Sequence, residues 1–181
     1  MKIIIDTREQ TPFQFERFRE QYHVETKRGS LASGDYSLAG FEISVAVERK
    51  ELGDLIGCLS HDRERFTREL ARLRGYDSPA IVVEAPFSYI QGGRYRSKMN
   101  PDAAVQSLYS IMQEYRIPIF FALDKEMAEI VRDAEKAVES VTIMDFVRWF
   151  LRLNTDSDAA IDVFAAAASF KYDVKERRKE E

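Results

Sequence analysis

Hydrophobic and polar positions alternate most cleanly between Phe41 and Lys50. Ile43, Val45 and Val47 fall on one side, and Ser44, Ala46, Glu48 and Lys50 on the other, which is the two-residue period of a strand. Ala39-Gly40 marks a tight turn just before it. The segment carrying Asp35 is therefore expected to run antiparallel to this strand and to return Asp35 to its Glu48 end. Further strands are predicted at Ile3-Ile4-Ile5, at Ala80 to Glu84, and at Ile119 to Leu123 after Pro118. Between them the period lengthens to that of a helix. Asp62 to Gly75 places Phe66, Leu70 and Leu73 on one face and Arg65, Arg68 and Arg72 on another. Asn100 caps a helix with Pro101 at its first position and an apolar stripe of Val105, Leu108, Met112 and Tyr115. Asp124 opens another, bearing Met127, Ile130, Val131 and Ala134.

Beyond Ser140 the pattern is helical throughout. Thr142-x-x-Asp145 has the form of a capping box, followed by Ile143, Phe146, Val147 and Phe150 at amphipathic spacing with Trp149 beside them. Asp156 to Phe170 reads as an alanine-rich helix, and Lys171 to Glu181 as a solvated tail of mixed charge. No internal repeat or low-complexity linker interrupts the chain. Strands alternating with helices predict an α/β sandwich around a mixed central sheet. The expected organisation is a domain over residues 1–140 and a helical extension over 141–181.

Composition narrows the class without deciding it. A chain of 181 residues that is 45% hydrophobic can bury an adequate single core. Its one cysteine, Cys58, lies among Leu55, Ile56 and Leu59, where burial as a small apolar residue is expected and no internal disulfide can form. The two histidines, His23 and His61, are unclustered and suit surface or packing roles. The chain opens directly in a strand without a charged-then-apolar leader, and no apolar run reaches membrane-spanning length. A cytoplasmic protein with no membrane partner is expected. The formal charge of −4 and sequence pI near 5.4 are not those of a dedicated nucleic-acid binder. Distribution qualifies the sum, because Arg63, Arg65, Arg68, Arg72 and Arg74 crowd one short stretch.

The chemistry concentrates in Gly34-Asp35-Tyr36, Val47-Glu48-Arg49-Lys50 and Asp54, which bring three carboxylates and a lysine within about twenty residues of one another. Glu48 and Lys50 project side by side from one strand face. E-x-K alone is ordinarily a salt-bridged strand end; the added acids change that reading. Carboxylates so close repel, and the usual resolution is a divalent cation. Oxygen ligands with room left for water suit magnesium or manganese. Such a cation activates water and stabilises charge in phosphodiester hydrolysis. Lys50 could then orient or help deprotonate the attacking water.

In order, G-D-Y, a strand, V-E-R-K-x-x-x-D-L and R-E-R-F-x-x-E-L-x-R-L resemble the nuclease domain of the XPF-type structure-specific endonucleases. The resemblance spans roughly residues 2 to 140 and implies a restriction-endonuclease-like fold. It implies catalytic roles for Asp35, Glu48, Arg49, Lys50 and Asp54, with Asp35 and Glu48 as metal ligands. The opening strand and D-T-R-E resemble the family's first strand, which implies accessory acids at Asp6 and Glu9. The implied cofactor is Mg2+ or Mn2+. The implied partner is DNA, branched or flap-containing, with a homodimer through apolar helix faces also expected.

Two basic surfaces compete with plainer readings. On the 62–75 helix, Glu64 to Arg68 and Arg65 to Glu69 could pair at i, i+4, each pair contributing about 0.2–0.5 kcal/mol; alternatively Arg63, Arg65 and Arg68 form a phosphate-tracking ridge. Gly92-Gly93-Arg94-Tyr95-Arg96-Ser97-Lys98 offers backbone freedom, the cations Arg94, Arg96 and Lys98, and an aromatic, which suits phosphate and base contact. Arg8 joins this DNA-binding set, whereas Glu84 reads as an ion-paired strand end. Larger family members carry tandem helix-hairpin-helix modules, yet no G-x-G turn follows Gly93 here. The reading that results is a divalent-metal-dependent DNA endonuclease preferring branched or partly single-stranded DNA. The alternatives are a non-catalytic DNA-binding or dimerisation scaffold of the same family, and a RecB-like nuclease. Gln106-x-x-Tyr109 has the wrong spacing for the helix motif often found in the latter.

Overall fold

The computed structural model describes residues 2–13, 15 and 23–121. The helices expected from Asp124 onward and the whole extension over 141–181 lie outside the described residues. Among the described residues six strands and four helices follow in the order β1 (Lys2–Asp6), β2 (Glu25–Gly29), β3 (Tyr36–Leu38), β4 (Val45–Lys50), α1 (Leu52–Leu59), α2 (Arg63–Leu73), β5 (Ser78–Val83), α3 (Phe87–Gln91), α4 (Pro101–Tyr115) and β6 (Ile119–Phe121). They build one mixed sheet in the order β2-β1-β3-β4-β5-β6. The β1–β3 and β3–β4 pairs are antiparallel; β1–β2, β4–β5 and β5–β6 are parallel. This is the mixed α/β architecture that the strand and helix periods predict.

Register assigns each strand residue its face. Parallel pairing sets Glu48 beside Ile81 and Lys50 beside Val83. Ala46, Ile81 and Val83 belong to the core that also holds Leu55, Ile56 and Leu59 of α1, Phe66, Leu70 and Leu73 of α2, and Ala104, Leu108 and Ile111 of α4. Glu48 and Lys50 thus project from the helix-covered face. Val45 and Val47 alternate to the opposite face, where Phe13, Phe15 and Tyr36 form a buried aromatic group with centroids 5.6–6.2 Å apart. Both faces of β4 are covered. That explains why Val45, Ala46 and Val47 are all buried rather than alternately exposed.

Local chemistry accounts for most boundaries. Asn100 accepts from Asp102 N and Ala103 N at 2.8 and 3.2 Å, so α4 starts with Pro101 where the sequence predicts. It ends at Arg116, whose φ of 57° turns the chain into the left-handed region. Other expectations need correction. The strand does not extend back to Phe41: residues 42–44 turn, and Ile43 is 89% exposed instead of facing the core with Val45. The buried line of α4 is Ala104, Leu108 and Ile111, while Met112 is exposed and Val105 and Tyr115 are only half-buried. The β5 strand begins earlier, at Ser78, and stops before Glu84.

Candidate active site

At the end of β3 the chain must pass very close to β4. Gly34 adopts φ 79°, and a Cβ there would meet the Val47 carbonyl oxygen at 3.0 Å and the Val47 nitrogen at 3.2 Å, so only glycine fits without displacement. The next residue is held by both partners of this approach. Asp35 N donates to Val47 O at 2.8 Å, and Asp35 Oδ2 accepts from Arg49 N at 2.8 Å. Because Tyr36 stands opposite Val47, one further step of antiparallel register brings Asp35 opposite Glu48. G-D-Y and E-R-K, twelve residues apart in the chain, thus meet at one sheet position.

Lys50 lies within this group. Its Nζ is 2.5 Å from Glu48 Oε1 and 2.7 Å from Glu69 Oε1, and it lies 5.7 Å from the centroid of the Phe66 ring. The three charged side chains are 11–14% exposed. Glu69 comes from α2, where Phe66, Leu70 and Leu73 pack inward and turn its carboxylate toward β4. One of the two sequence readings of this helix pairs Glu69 with Arg65. The observed partners are Lys50 for Glu69 and Asp62, at 3.4 Å, for Arg65. Side-chain reach across the core overrides the local i, i+4 rule here.

The electrostatics are those of crowded acids. Burial raises the Asp35 carboxyl, and the nearby Glu9 and Glu69 carboxylates add to that rise against the bond from Arg49 N. Burial likewise pushes Glu48 up to about 8, with Lys50 opposing and Asp35 and Glu69 reinforcing the shift. For Lys50 burial acts against the charge, yet Glu48 and Glu69 outweigh it and the ammonium is held above its ordinary range. A lysine so held stays protonated at neutral pH. Of the two roles open in the sequence, orienting a water therefore fits better than abstracting its proton.

Arg49 points the other way. Its alternate position on β4 sends the guanidinium to the opposite face, where it ion-pairs with Glu84, lies 3.2 Å from Glu9 Oε1, donates to Thr11 O at 3.1 Å and sits 4.7 Å above the Phe13 ring. Through its backbone nitrogen it supports Asp35; through its side chain it ties residues 9–13 to the ends of β4 and β5. Glu84 is thus more than a simple strand end, and the sequence offered no sign of its partner. Asp6 is separately satisfied. Its oxygens accept from Arg8 Nε at 2.6 Å, Arg8 N at 2.8 Å, an Arg8 terminal nitrogen at 3.2 Å and Leu31 N at 2.7 Å. Arg8 is committed to Asp6 and to the Leu31 carbonyl. Asp54 sits exposed on the first turn of α1 and takes no part in the pairs joining Glu48, Lys50 and Glu69.

The remaining basic residues divide. Arg63, Arg65 and Arg68 are exposed along α2, the helix that delivers Glu69 to the site. In the 92–98 loop Arg94 lies 5.3 Å from the Tyr89 ring centroid, while Arg96 and Lys98 are exposed. Tyr95 corrects the sequence reading: its ring packs against the core and its hydroxyl donates to Met99 O at 3.1 Å, which withdraws it from base contact. Cys58 is buried as expected, and burial raises its thiol. His61 is exposed, 3.7 Å from Asp62.

Comparison with known proteins agrees with this arrangement. Two structures of XPF from Aeropyrum pernix superpose on the chain. One, in complex with DNA, has a TM-score of 0.60 at 21% identity, covering 86% of this chain and 68% of its own. The other has a TM-score of 0.53 at 22% identity, covering 84% and 72%. At this identity they establish the restriction-endonuclease-like fold. No curated protein matches the sequence. The ERCC4 domain model matches residues 5–134, a stretch that contains G-D-Y, E-R-K and the helix bearing Glu69. With its motifs converging on one sheet position in that fold, the chain belongs to the ERCC4-domain family of XPF-type nucleases.

Proposed function

We propose that this protein is a divalent-metal-dependent DNA endonuclease, with Asp35 and Glu48 as the metal ligands. The observation that carries this reading is the convergence of two half-buried, mutually repelling carboxylates beside a single protonated lysine. Both acids are raised by burial and by neighbouring acids, so they lack positive charge that Lys50 supplies only in part. Hard oxygen donors of this kind fit magnesium or manganese. Among the described residues no three His, Cys, Asp or Glu side chains form a complete metal-binding group. A cation held by two carboxylates would leave its other positions to water and phosphate, the arrangement magnesium favours. Bound there, the cation supplies Lewis-acid polarisation of a phosphoryl oxygen and a more acidic water.

The chain's own residues supply the rest. Arg49 N fixes one Asp35 oxygen and leaves Oδ1 to the cluster. Lys50 orients water or a phosphate oxygen through its ammonium hydrogens. Arg63, Arg65 and Arg68 flank Glu69 on the exposed side of α2, where they can neutralise backbone phosphates next to the reacting one. A preference for branched or partly single-stranded DNA belongs to the same reading, as does pairing with a second copy through the exposed residues Met112 and Tyr109, the latter beside Phe87. Gel assays on duplex, flap and splayed substrates, with and without magnesium, test the reading. Metal-dependent cutting of flap or splayed DNA, lost in Asp35→Asn, is expected. Equal cutting without metal or by that variant would refute it.

A further inference from the structure

Lys50 binds two acids that cannot both keep it once a metal arrives. Its Nζ donates to Glu48 Oε1 in a short hydrogen bond of 2.5 Å. Glu69 Oε1 is 2.7 Å away, yet it is buried and accepts no well-formed hydrogen bond among the described residues. The ammonium thus lies between the two acids, hydrogen-bonded to Glu48 and ion-paired with Glu69. A dication taking an oxygen of Glu48 would leave that ammonium facing a like charge within a few ångströms, in surroundings where 11–14% exposure gives little screening. The lysine has to turn away from Glu48, and its flexible stem allows this. The acceptor within reach is the unsatisfied oxygen of Glu69.

We infer that Glu69 is the positioning residue of this site: it receives the Lys50 ammonium from Glu48 when the metal binds, and so fixes both the metal affinity and the working position of the lysine. The inference rests on the metal-site reading above and assigns Glu69 no direct contact with metal or substrate. Lys50 acts as the resident monovalent cation in the metal-free protein and as a water- or phosphate-orienting group in the loaded one, and Glu69 makes the exchange downhill. The helix matters because it is rigid. Phe66, Leu70 and Leu73 anchor α2 in the core and hold the receiving carboxylate still while the lysine moves.

The test is a metal-binding cycle, read by calorimetry or manganese electron paramagnetic resonance on the full chain without DNA. Lys50→Met removes the competing ammonium and should tighten manganese binding severalfold although cleavage falls. Glu69→Gln should weaken it about tenfold by leaving Lys50 on Glu48, and Glu69→Asp should restore most of the loss. In the Lys50→Met background Glu69→Gln should change affinity little. Equal weakening in both backgrounds would make Glu69 a metal ligand or a remote charge and overturn the proposal. Weaker binding in Lys50→Met would overturn it too, and that arm stands even if Glu69→Gln fails to fold. Failure of the wild-type chain to bind manganese, or binding indifferent to Asp35→Asn, would refute the metal-site reading itself and the exchange with it. Normal wild-type binding with an inert Glu69→Gln refutes the exchange alone.

Discussion

Two buried acidic centres in the same sheet are treated in opposite ways. Asp6, at the end of β1, is 1% exposed and surrounded by donors, the Arg8 side chain and the backbone nitrogens of Arg8 and Leu31. The Arg8 side chain is the main cause that brings its carboxyl down to about 2. Asp35, the cross-strand neighbour of Asp6, and Glu48 beside it have one backbone donor and one ammonium between them, and both are pushed upward. Burial is common to the two; satisfaction is not. A carboxylate with its partners in place serves as a structural joint, whereas a pair left short of positive charge suits the cation site proposed above.

The largest effect should come from the unsatisfied pair. Asp35→Asn and Glu48→Gln are each expected to lower single-turnover cleavage by about a thousandfold or more, since a lost metal ligand removes several kcal/mol of transition-state stabilisation. The melting temperature of the metal-free protein should not fall. A drop in stability with activity retained would place these acids with Asp6 and erase the contrast.

Asp6→Asn should do the reverse. It removes about 2 kcal/mol of folding stability, the approximate equivalent of its pKa shift, and strands Arg8 and Leu31 N. Cleavage at a temperature where the variant is folded should change less than about threefold. Chemical denaturation gives the first number and a rate assay the second. Loss of cutting from a fully folded variant would give Asp6 the accessory catalytic role that the family resemblance implies.

The pH dependences should also have opposite signs. The folded pKa of Asp6 lies below its unfolded value, so its contribution is present above about pH 4 and is lost as the pH falls toward about 2. The folded pKa of Glu48 lies above its ordinary value, so the unfolded chain ionises first. Metal-free stability should decline as the pH rises from about 4.5 to about 8. Denaturation series across about pH 4–9 should show that decline, and Glu48→Gln should flatten it. An unchanged slope in that variant would mean the pair is not short of positive charge.

The smallest effect is at the surface. Arg65→Ala, or Arg94→Ala with Arg96→Ala, should weaken DNA binding across sequences and reduce the log–log salt slope by about 0.9 for each phosphate no longer neutralised. Binding isotherms at several salt concentrations measure it. An unaltered slope in both variants would leave these arginines as solvated surface only.

What the sequence disclosed follows from what periodicity encodes. The strand period aligned Glu48 with Lys50, and the turn at Ala39-Gly40 brought Asp35 back to them; the helical period chose Phe66, Leu70 and Leu73 correctly. Periodicity specifies a face but not what stands opposite it. Glu69 therefore reads as a partner for Arg65 and Glu84 as an ion-paired strand end, although their partners, Lys50 and Arg49, lie nineteen and thirty-five residues away. The β2 strand went unread for a related reason. Glu-Thr-Lys-Arg-Gly is a polar, largely exposed edge paired on one side only with β1, so it has neither an apolar run nor alternation. Ile43 misled in the other direction, since an exposed residue of a turn happened to continue the strand's alternation. In α4, small Ala104 occupies a buried position that a search for large residues skips, and the stripe was drawn one position off.

Gly34 carries no charge, yet it lets the segment bearing Asp35 approach β4 closely. Replacing it with alanine would keep every titrating group while straining the left-handed backbone and displacing β4 at that point. A nuclease disabled in this way would still hold its full complement of ligands, so sequence scans that score motif acids would class it as active. The width of one backbone gap, as much as the chemistry of the residues lining it, shapes this site.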